Sequence, residues 1–346
     1  MKKKILITGG CGFIGSNLAI FLKEKKYKVY SLDNLSRKGS KLNLERLKKN
    51  KITNFKIDIK NYKHLNKLSK FDFIIDCSAL VEAKVKEENI TNVLKTNFLG
   101  TNNLLLKSIN DKSKFIFLST SRVYSIKKIN EIINNKKIIK KKLFFDKKHT
   151  IKENFSTSAP LSFYGLSKKI SEDLILEYSY SYNLKYMINR FGVVSGPWQF
   201  GKVEQGFLSL WLWKHLRKLN IKYIGFGGYG NQCRDILHVH DLCDIIYKQI
   251  KKFHKIQNNI FNIGGGLKNT LSLKDVTLIS EKLTKNKIKI GKIAKSDKSD
   301  IPIYVSNNNK ISKFYNWKPK RSILKIASDT YNWQVENFKI LKKFMD

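Results

Sequence analysis

Ile5-Leu6-Ile7-Thr8-Gly9-Gly10-Cys11-Gly12-Phe13-Ile14-Gly15 is a short apolar run that breaks into glycines at 9, 12 and 15 and leads into the amphipathic stretch Ser16 to Lys26. A β-branched apolar run followed by helical periodicity reads as a strand, a turn and a helix. Glycines at this spacing have a use there. The first permits a tight turn, the second lets backbone approach a pyrophosphate, and the third allows helix and strand to pack closely. A helix beginning near Phe13 and Ile14 offers free N–H groups and a positive dipole end to phosphates. The next apolar run, Val29-Tyr30-Ser31-Leu32, ends in Asp33, about where an acid hydrogen-bonds an adenosine ribose. A carboxylate there repels a 2′-phosphate, so the pair of signals points to NAD rather than NADP, with Asn34 and Arg37 close by.

Working outward, the runs KVYSLD, NFKIDI, FDFIID and KFIFLST alternate with amphipathic stretches, one of them helical from about Asn92 to Ile109. This is the pattern of βαβ units: an α/β, Rossmann-type doubly wound parallel sheet. Residues 1–189 are expected to form that domain. From about Arg190 the pattern loosens into glycine-rich turns (225–230 and 264–266). Residues 190–346 are therefore expected to form a smaller C-terminal substrate-binding lobe, with some segments returning to the first sheet.

The 346 residues are 42% apolar, enough for a large core, and hold no uninterrupted apolar run of membrane-spanning length. Lysines precede Ile5-Leu6-Ile7, but so short an apolar run reads as a first strand and not as a signal peptide. Cys11, Cys77, Cys233 and Cys243 have neither metal-ligand nor disulfide-framework spacing, which fits a reducing cytoplasm, the expected location. The formal charge of +41 would suit a nucleic-acid binder. Lysine is spread over the whole chain, however, and no nucleic-acid-binding signature accompanies it. Compositional drift is the better reading, with steering of an anionic substrate as a side effect and no specific nucleic acid or membrane partner.

Lys114 to Leu118 reads as a buried strand running into Ser119-Thr120-Ser121, and Tyr164-Gly165-Leu166-Ser167-Lys168 opens an amphipathic helix. Tyr164 and Lys168, four apart, share one helical face. An ammonium beside a phenol stabilises the phenolate and makes tyrosine a usable general base. Alone, Tyr-x-x-x-Lys is better explained by a solvated helix face. Behind the glycine turn, the combination resembles the extended short-chain dehydrogenases/reductases of the NAD-dependent epimerase/dehydratase family.

That resemblance implies a Thr120–Tyr164–Lys168 triad, with Ser119 and Ser121 near enough to compete for the hydroxyl role. It also implies cofactor contacts from Asp58-Ile59, Ser78-Ala79 and Asn97 in addition to Gly9, Gly12, Phe13, Ile14, Gly15, Asp33, Asn34, Arg37, Tyr164 and Lys168. Dehydratases of the family carry an Asp-Glu pair after the triad threonine. Ser121 and Arg122 stand there, so dehydration is not expected.

Further on, Arg234-Asp235-Ile236-Leu237-His238-Val239-His240-Asp241 is similar to a segment of nucleotide-sugar epimerases in which Arg234 would grip a diphosphate. Val193 occupies a place usually held by asparagine. Arg122, and Gln199 and Gln205 from the Gly196 to Gly206 stretch, are further substrate-binding candidates. The resemblance covers almost the whole chain and is weakest from 126 to 155. It implies an NAD-dependent epimerase of a nucleotide sugar, a CDP-sugar favoured, acting as a homodimer or homotetramer. The alternatives are a 4-epimerase or reductase of the family, or a catalytically silent NAD-binding module. His238 and His240, taken as alternating along a strand, lack a third metal ligand, so no metal is expected. Trp211 and Trp213 read as packing residues.

Overall fold

The apolar runs that begin the chain pair edge to edge in a computed structural model that describes residues 2–81, 85–134, 150–202 and 205–345. The first six strands are β1 (Lys4–Thr8), β2 (Lys28–Leu32), β3 (Thr53–Phe55), β4 (Phe73–Asp76), β5 (Lys114–Thr120) and β6 (Tyr186–Phe191). They are followed by β7 (Val193–Ser195), β8 (Ile221–Ile224), β9 (Cys233–His238) and β10 (Asn259–Ile263). The main sheet has the order β10-β6-β5-β4-β1-β2-β3, with every pairing in it parallel. The chain winds outward from β1 to β3, then returns to β4 on the other side of β1. Where the direction reverses, the carboxyl ends of β1 and β4 part and leave a crevice.

Both faces of this sheet are covered, which is why its strands are apolar throughout and do not alternate. Ile5, Ile7 and Ile75 face a layer that includes Leu18 and Leu22 of helix Phe13–Glu24 and Phe253 of helix Val239–Ile256. Leu6, Ile74 and Phe117 face Leu104 and Leu105 of helix Gly100–Asp111 and Ile175 of helix Phe163–Tyr182. Each such side chain withdrawn from water contributes about 1.5–3 kcal/mol.

The remaining strands are β11 (Thr270–Ser272), β12 (Ile290–Ile293) and β13 (Ile303–Tyr304). β9 pairs with β7, β11 and β13, and β8 pairs with β12. The segment 239–263 belongs to the main sheet layer, because β10 pairs with β6.

Two expectations change. The helical stretch near Asn92 to Ile109 is two helices, Glu87–Leu94 and Gly100–Asp111, joined by a π-helical turn Lys95–Leu99. His238 and His240 do not alternate on a strand. His238 ends β9 and caps helix Val239–Ile256, its Nδ1 accepting the His240 N–H (3.0 Å). Of the segment 126–155, residues 135–149 lie outside the described residues, while Ile126–Asn134 is a helix.

One ion pair is sealed inside the sheet's flank. Lys107, 1% exposed, donates from Nζ to Asp111 Oδ1 (2.7 Å) and to the Leu68 carbonyl (3.0 Å), and Asp111 Oδ2 accepts the Phe71 N–H (3.2 Å). Removing one partner of such a pair strands a buried charge. Asp111→Ala should lower unfolding free energy by about 3 kcal/mol or more in urea titration. A loss below about 1 kcal/mol would mean that solvent reaches the pair and that it acts like a surface bridge.

Candidate active site

Sterics fix the glycine turn between β1 and helix Phe13–Glu24. A Cβ on Gly15 would lie 2.2 Å from the Gly9 carbonyl oxygen, and one on Gly10 would lie 2.1 Å from Ser31 Oγ. Gly9 has φ +59, and a Cβ there would meet the Cys77 carbonyl at 2.8 Å. Gly12 precedes the helix in extended conformation, and no side chain caps the amides that follow. Free amides at a helix start, approached by bare backbone, fit a diphosphate.

Asp33 stands just past β2. Its Oδ2 accepts the Cys11 N–H (3.0 Å) and its Oδ1 the Leu35 N–H (2.8 Å). Burial raises its pKa, while those amides and Arg37 pull the other way. The carboxylate is thus held beside the turn with lone pairs left for a ribose. Asn34 donates to Asp58 Oδ2 (3.0 Å), tying together two of the expected adenosine-side residues. The Ile59 side chain turns into the core beneath Gly100, so only its backbone is left to face a ligand. Ser78 and Ala79 follow β4, where the Ser78 N–H donates to the buried Asp76 carboxylate (2.9 Å). The Asn97 amide is fully occupied inside the protein: Oδ1 accepts the Leu80 N–H (2.8 Å), and Nδ2 donates to Leu80 O (3.1 Å) and Ser167 Oγ (3.0 Å). Asn97, expected at the cofactor, here braces the segment after Ala79.

Helix Phe163–Tyr182 starts on Ser162, whose Oγ accepts the Gly165 N–H (3.0 Å), and it buries Tyr164, Lys168 and Glu172 along one face. The helix comes so close to the turn after β5 that a Cβ on Gly165 would lie 2.2 Å from the Arg122 carbonyl oxygen. That approach sets the Tyr164 phenol beside Thr120. Burial raises the phenol above its ordinary 10.0, and the Thr120 hydroxyl and the Arg122 and Arg37 guanidinium groups oppose the rise. The expected direction, a pKa lowered by Lys168, is therefore not what this geometry gives. The Lys168 ammonium lies 3.8 Å from the Phe117 ring centroid. Burial lowers its pKa, opposed by Asp76, Cys77 and Glu172. Of the competing hydroxyls, Ser119 is committed elsewhere, donating to Glu172 Oε1 at 2.6 Å.

Arg122 and Arg234, far apart in sequence, meet on Asp300 Oδ1 at 3.3 and 3.0 Å. Arg122 also donates to the Ser299 carbonyl (3.0 Å), and Arg234 to the Cys233 and Ile301 carbonyls. Two guanidinium groups on one carboxylate leave a positive excess next to the phenol. Gln205 accepts from Arg37 Nη2 (3.3 Å) at the rim. Gln199 is not at the site. It is 5% exposed, with Oε1 accepting from Ser195 Oγ (2.7 Å) and Nε2 donating to the Val194 carbonyl (2.9 Å). A buried amide paired at both ends holds its own loop together and has little left for a substrate.

A match to the family described as "NAD dependent epimerase/dehydratase family" spans residues 5–264. The chain belongs to this family. It is thus an NAD-dependent enzyme of the nucleotide-sugar epimerase type. It is similar to a CDP-paratose 2-epimerase from Salmonella typhi, 30% identical over 95% of this chain and 98% of the relative. It is also similar to a UDP-glucuronate 4-epimerase from Thermodesulfobacterium geofontis, 28% identical over 97% and 98%. Among solved structures, the UDP-glucose 4-epimerase of Thermotoga maritima with UDP-glucose superposes with a TM-score of 0.79 at 25% identity, covering 97% of this chain and 99% of that one.

Three parts of this epimerase-family site carry little or no signal in the sequence. Asp300 lies in a polar loop with no motif around it. Asp76 ends a strand and reads simply as part of it. Glu172 did carry a signal: it falls at Tyr164 plus eight, on the face already singled out. As for the cradle, Gly15→Ala must push helix and turn apart, and NAD affinity measured by calorimetry should fall by at least about tenfold. Unchanged affinity would remove the glycine turn from the binding site.

Proposed function

We propose that the enzyme inverts C2 of a CDP-linked dideoxyhexose by transient oxidation to a ketone, the activity of CDP-paratose 2-epimerase. The observation that favours epimerisation over dehydration is Thr120 at the end of β5 beside Tyr164 of helix Phe163–Tyr182, with Ser121-Arg122 where elimination of water would need an acid pair. The similarity to the Salmonella typhi enzyme along 95% of the chain supports the choice of substrate. A 4-epimerase acting on a UDP-sugar is the second reading, favoured by the 28% identity to the UDP-glucuronate enzyme. Screening CDP-, UDP-, GDP- and dTDP-sugars for products separates the two.

In this mechanism Tyr164 Oη takes the proton from the reacting hydroxyl, and Thr120 Oγ1 hydrogen-bonds the same oxygen as it becomes a carbonyl. NAD, when bound, supplies the reversible hydride acceptor that makes the oxidation possible. Lys168, buried one helical turn from Tyr164, would hold the cofactor's ribose. The ketone must present its other face before it is reduced again, so the nucleotide end has to stay fixed while the sugar turns. Arg234 is the anchor: with Arg122 it can exchange part of the shared Asp300 carboxylate for a diphosphate. Asp33, Asn34 and Asp58 would hold the adenosine, and Gly9, Gly12, Phe13, Ile14 and Gly15 the cofactor diphosphate.

With substrate deuterated at C2 in ordinary water, the label should stay at C2 of the product; washout into solvent would sink this mechanism. The phenolate fraction grows with pH, so kcat/KM should rise along an alkaline limb set by Tyr164. Arg122 favours the phenolate, so Arg122→Met should move that limb to higher pH. A limb that stays in place, or moves down, would detach it from Tyr164. Tyr164→Phe should lower kcat by at least about a hundredfold while NAD stays bound. The chain is further proposed to pair with a second copy through helices Gly100–Asp111 and Phe163–Tyr182, the latter exposing Leu176 and Tyr180. Sedimentation at micromolar concentration should then give a dimer or tetramer, and monomer alone would remove the claim.

A further inference from the structure

We propose that Pro197 to Lys202, together with Gln205, forms a strap from the second lobe that locks the dinucleotide in place and sets its rate of release. The proposal rests on the glycine turn and Asp33 being the NAD site. Four contacts between parts of the chain remote in sequence carry it. The Pro197 carbonyl accepts from Asn17 Nδ2 (3.2 Å), on the helix whose start faces the diphosphate. The Trp198 ring lies 4.6 Å from the Arg46 guanidinium, which itself donates to Asn17 Oδ1 (2.9 Å). The Phe200 ring covers Gly39 so closely that a Cβ there would lie 3.0 Å from it. Gln205 accepts from Arg37 (3.3 Å), in the loop that follows Asp33.

These contacts fall on two neighbouring elements at the proposed cofactor site, the helix from Phe13 that follows β1 and the segment from Asp33 to Arg46 that follows β2. The strap is built to stay put. Trp198 has φ +72, a left-handed conformation that an aromatic residue keeps only when its surroundings hold it. Its indole and the Phe200 ring both pack on Trp333 of the second lobe, at 5.7 and 5.8 Å. Gln199 pins the strap from below through Ser195, Val194 and the hydroxyl of Ser209. A dinucleotide with its diphosphate on the helix amides and its ribose at Asp33 touches both elements, so a strap that ties them to the second lobe opposes its release. Epimerisation has no net redox change and no use for cofactor exchange. A barrier to release therefore costs turnover nothing.

The test is the rate at which the purified full-length protein, loaded with radiolabelled NAD, loses label into excess unlabelled NAD. The wild type should hold its cofactor through gel filtration. Trp198→Ala and Phe200→Ala should each release it at least about tenfold faster, and Trp198→Phe, which keeps a ring for Arg46, should recover most of the difference. Circular dichroism on the same samples establishes that the variants are folded. If Trp198→Ala fails to fold, Gln205→Ala, which loses only the bond from Arg37, carries the test with about threefold faster release expected. Folded variants that release NAD within about twofold of wild type overturn the strap and leave the cofactor site standing. A wild-type protein that neither retains nor binds NAD overturns both.

Discussion

Glu172 is a fully buried carboxylate, and three parts of the fold converge on it. Ser119 at the end of β5 donates to one oxygen (2.6 Å), and Arg190 of β6 donates to both, through Nε at 3.0 and 3.1 Å and Nη2 at 2.6 Å. Arg190 then reaches Tyr124 Oη (3.2 Å), which donates to Asn262 of β10 (2.6 Å). One carboxylate therefore ties three neighbouring strands to the helix that carries Tyr164 and Lys168. A buried ion pair adds little net stability over an apolar packing, but breaking it is costly. Here its use is geometric. The hydroxyl of Thr120 follows Ser119 directly, so the bond from Ser119 to Glu172 also fixes where Thr120 stands against Tyr164.

The fold was legible because its signals are local. A strand buried on both faces needs a continuous apolar run, and a tight turn against a helix needs glycine, whatever the rest of the chain does. The positions of the glycine turn, Asp33, Thr120, Tyr164 and Lys168 follow from such patterns. What stayed hidden depends on contacts between remote segments. Nothing near Asp300 reveals that Arg122 and Arg234 will share it. Gln199 looked like a substrate ligand because it stands among glycines in an open-looking loop; folding turned it inward onto Ser195 and Val194. The surroundings of the Tyr164 phenol are hidden for a related reason. Sequence spacing puts Lys168 on the right face, but not at which atoms its ammonium points, nor how deeply the phenol is buried.

The charge of the chain is better understood at the site than in total. Arg37, Arg122 and Arg234 come from three separate segments, and Arg122 and Arg234 share one acid between them. Burial lowers the Arg234 pKa, Asp300 opposes this, and the like charge of Arg122 adds to the lowering. The arrangement is tolerable because Asp300 and backbone carbonyls accept the donors. It also gives an anionic ligand a stronger hold than scattered surface lysines could, since part of the desolvation cost is already met.

The π-helical turn Lys95–Leu99 is a matter of phase. It lies between two α-helices and carries Asn97 to Leu80 and Ser167, while Gly100 immediately after it sits against Ile59, where a Cβ would come within 2.5 Å of that side chain. In a regular α-helix each residue advances the face by about 100°. The wider turn absorbs a residue without passing that rotation on, so the helices on either side keep their own faces toward the protein. The segment behaves as an inserted residue that the fold has accommodated. Losing one residue there would restore regular α-helix and swing either Asn97 or Gly100 off its contact. Single-residue deletions in this short stretch should therefore be far less tolerated than substitutions at its exposed positions.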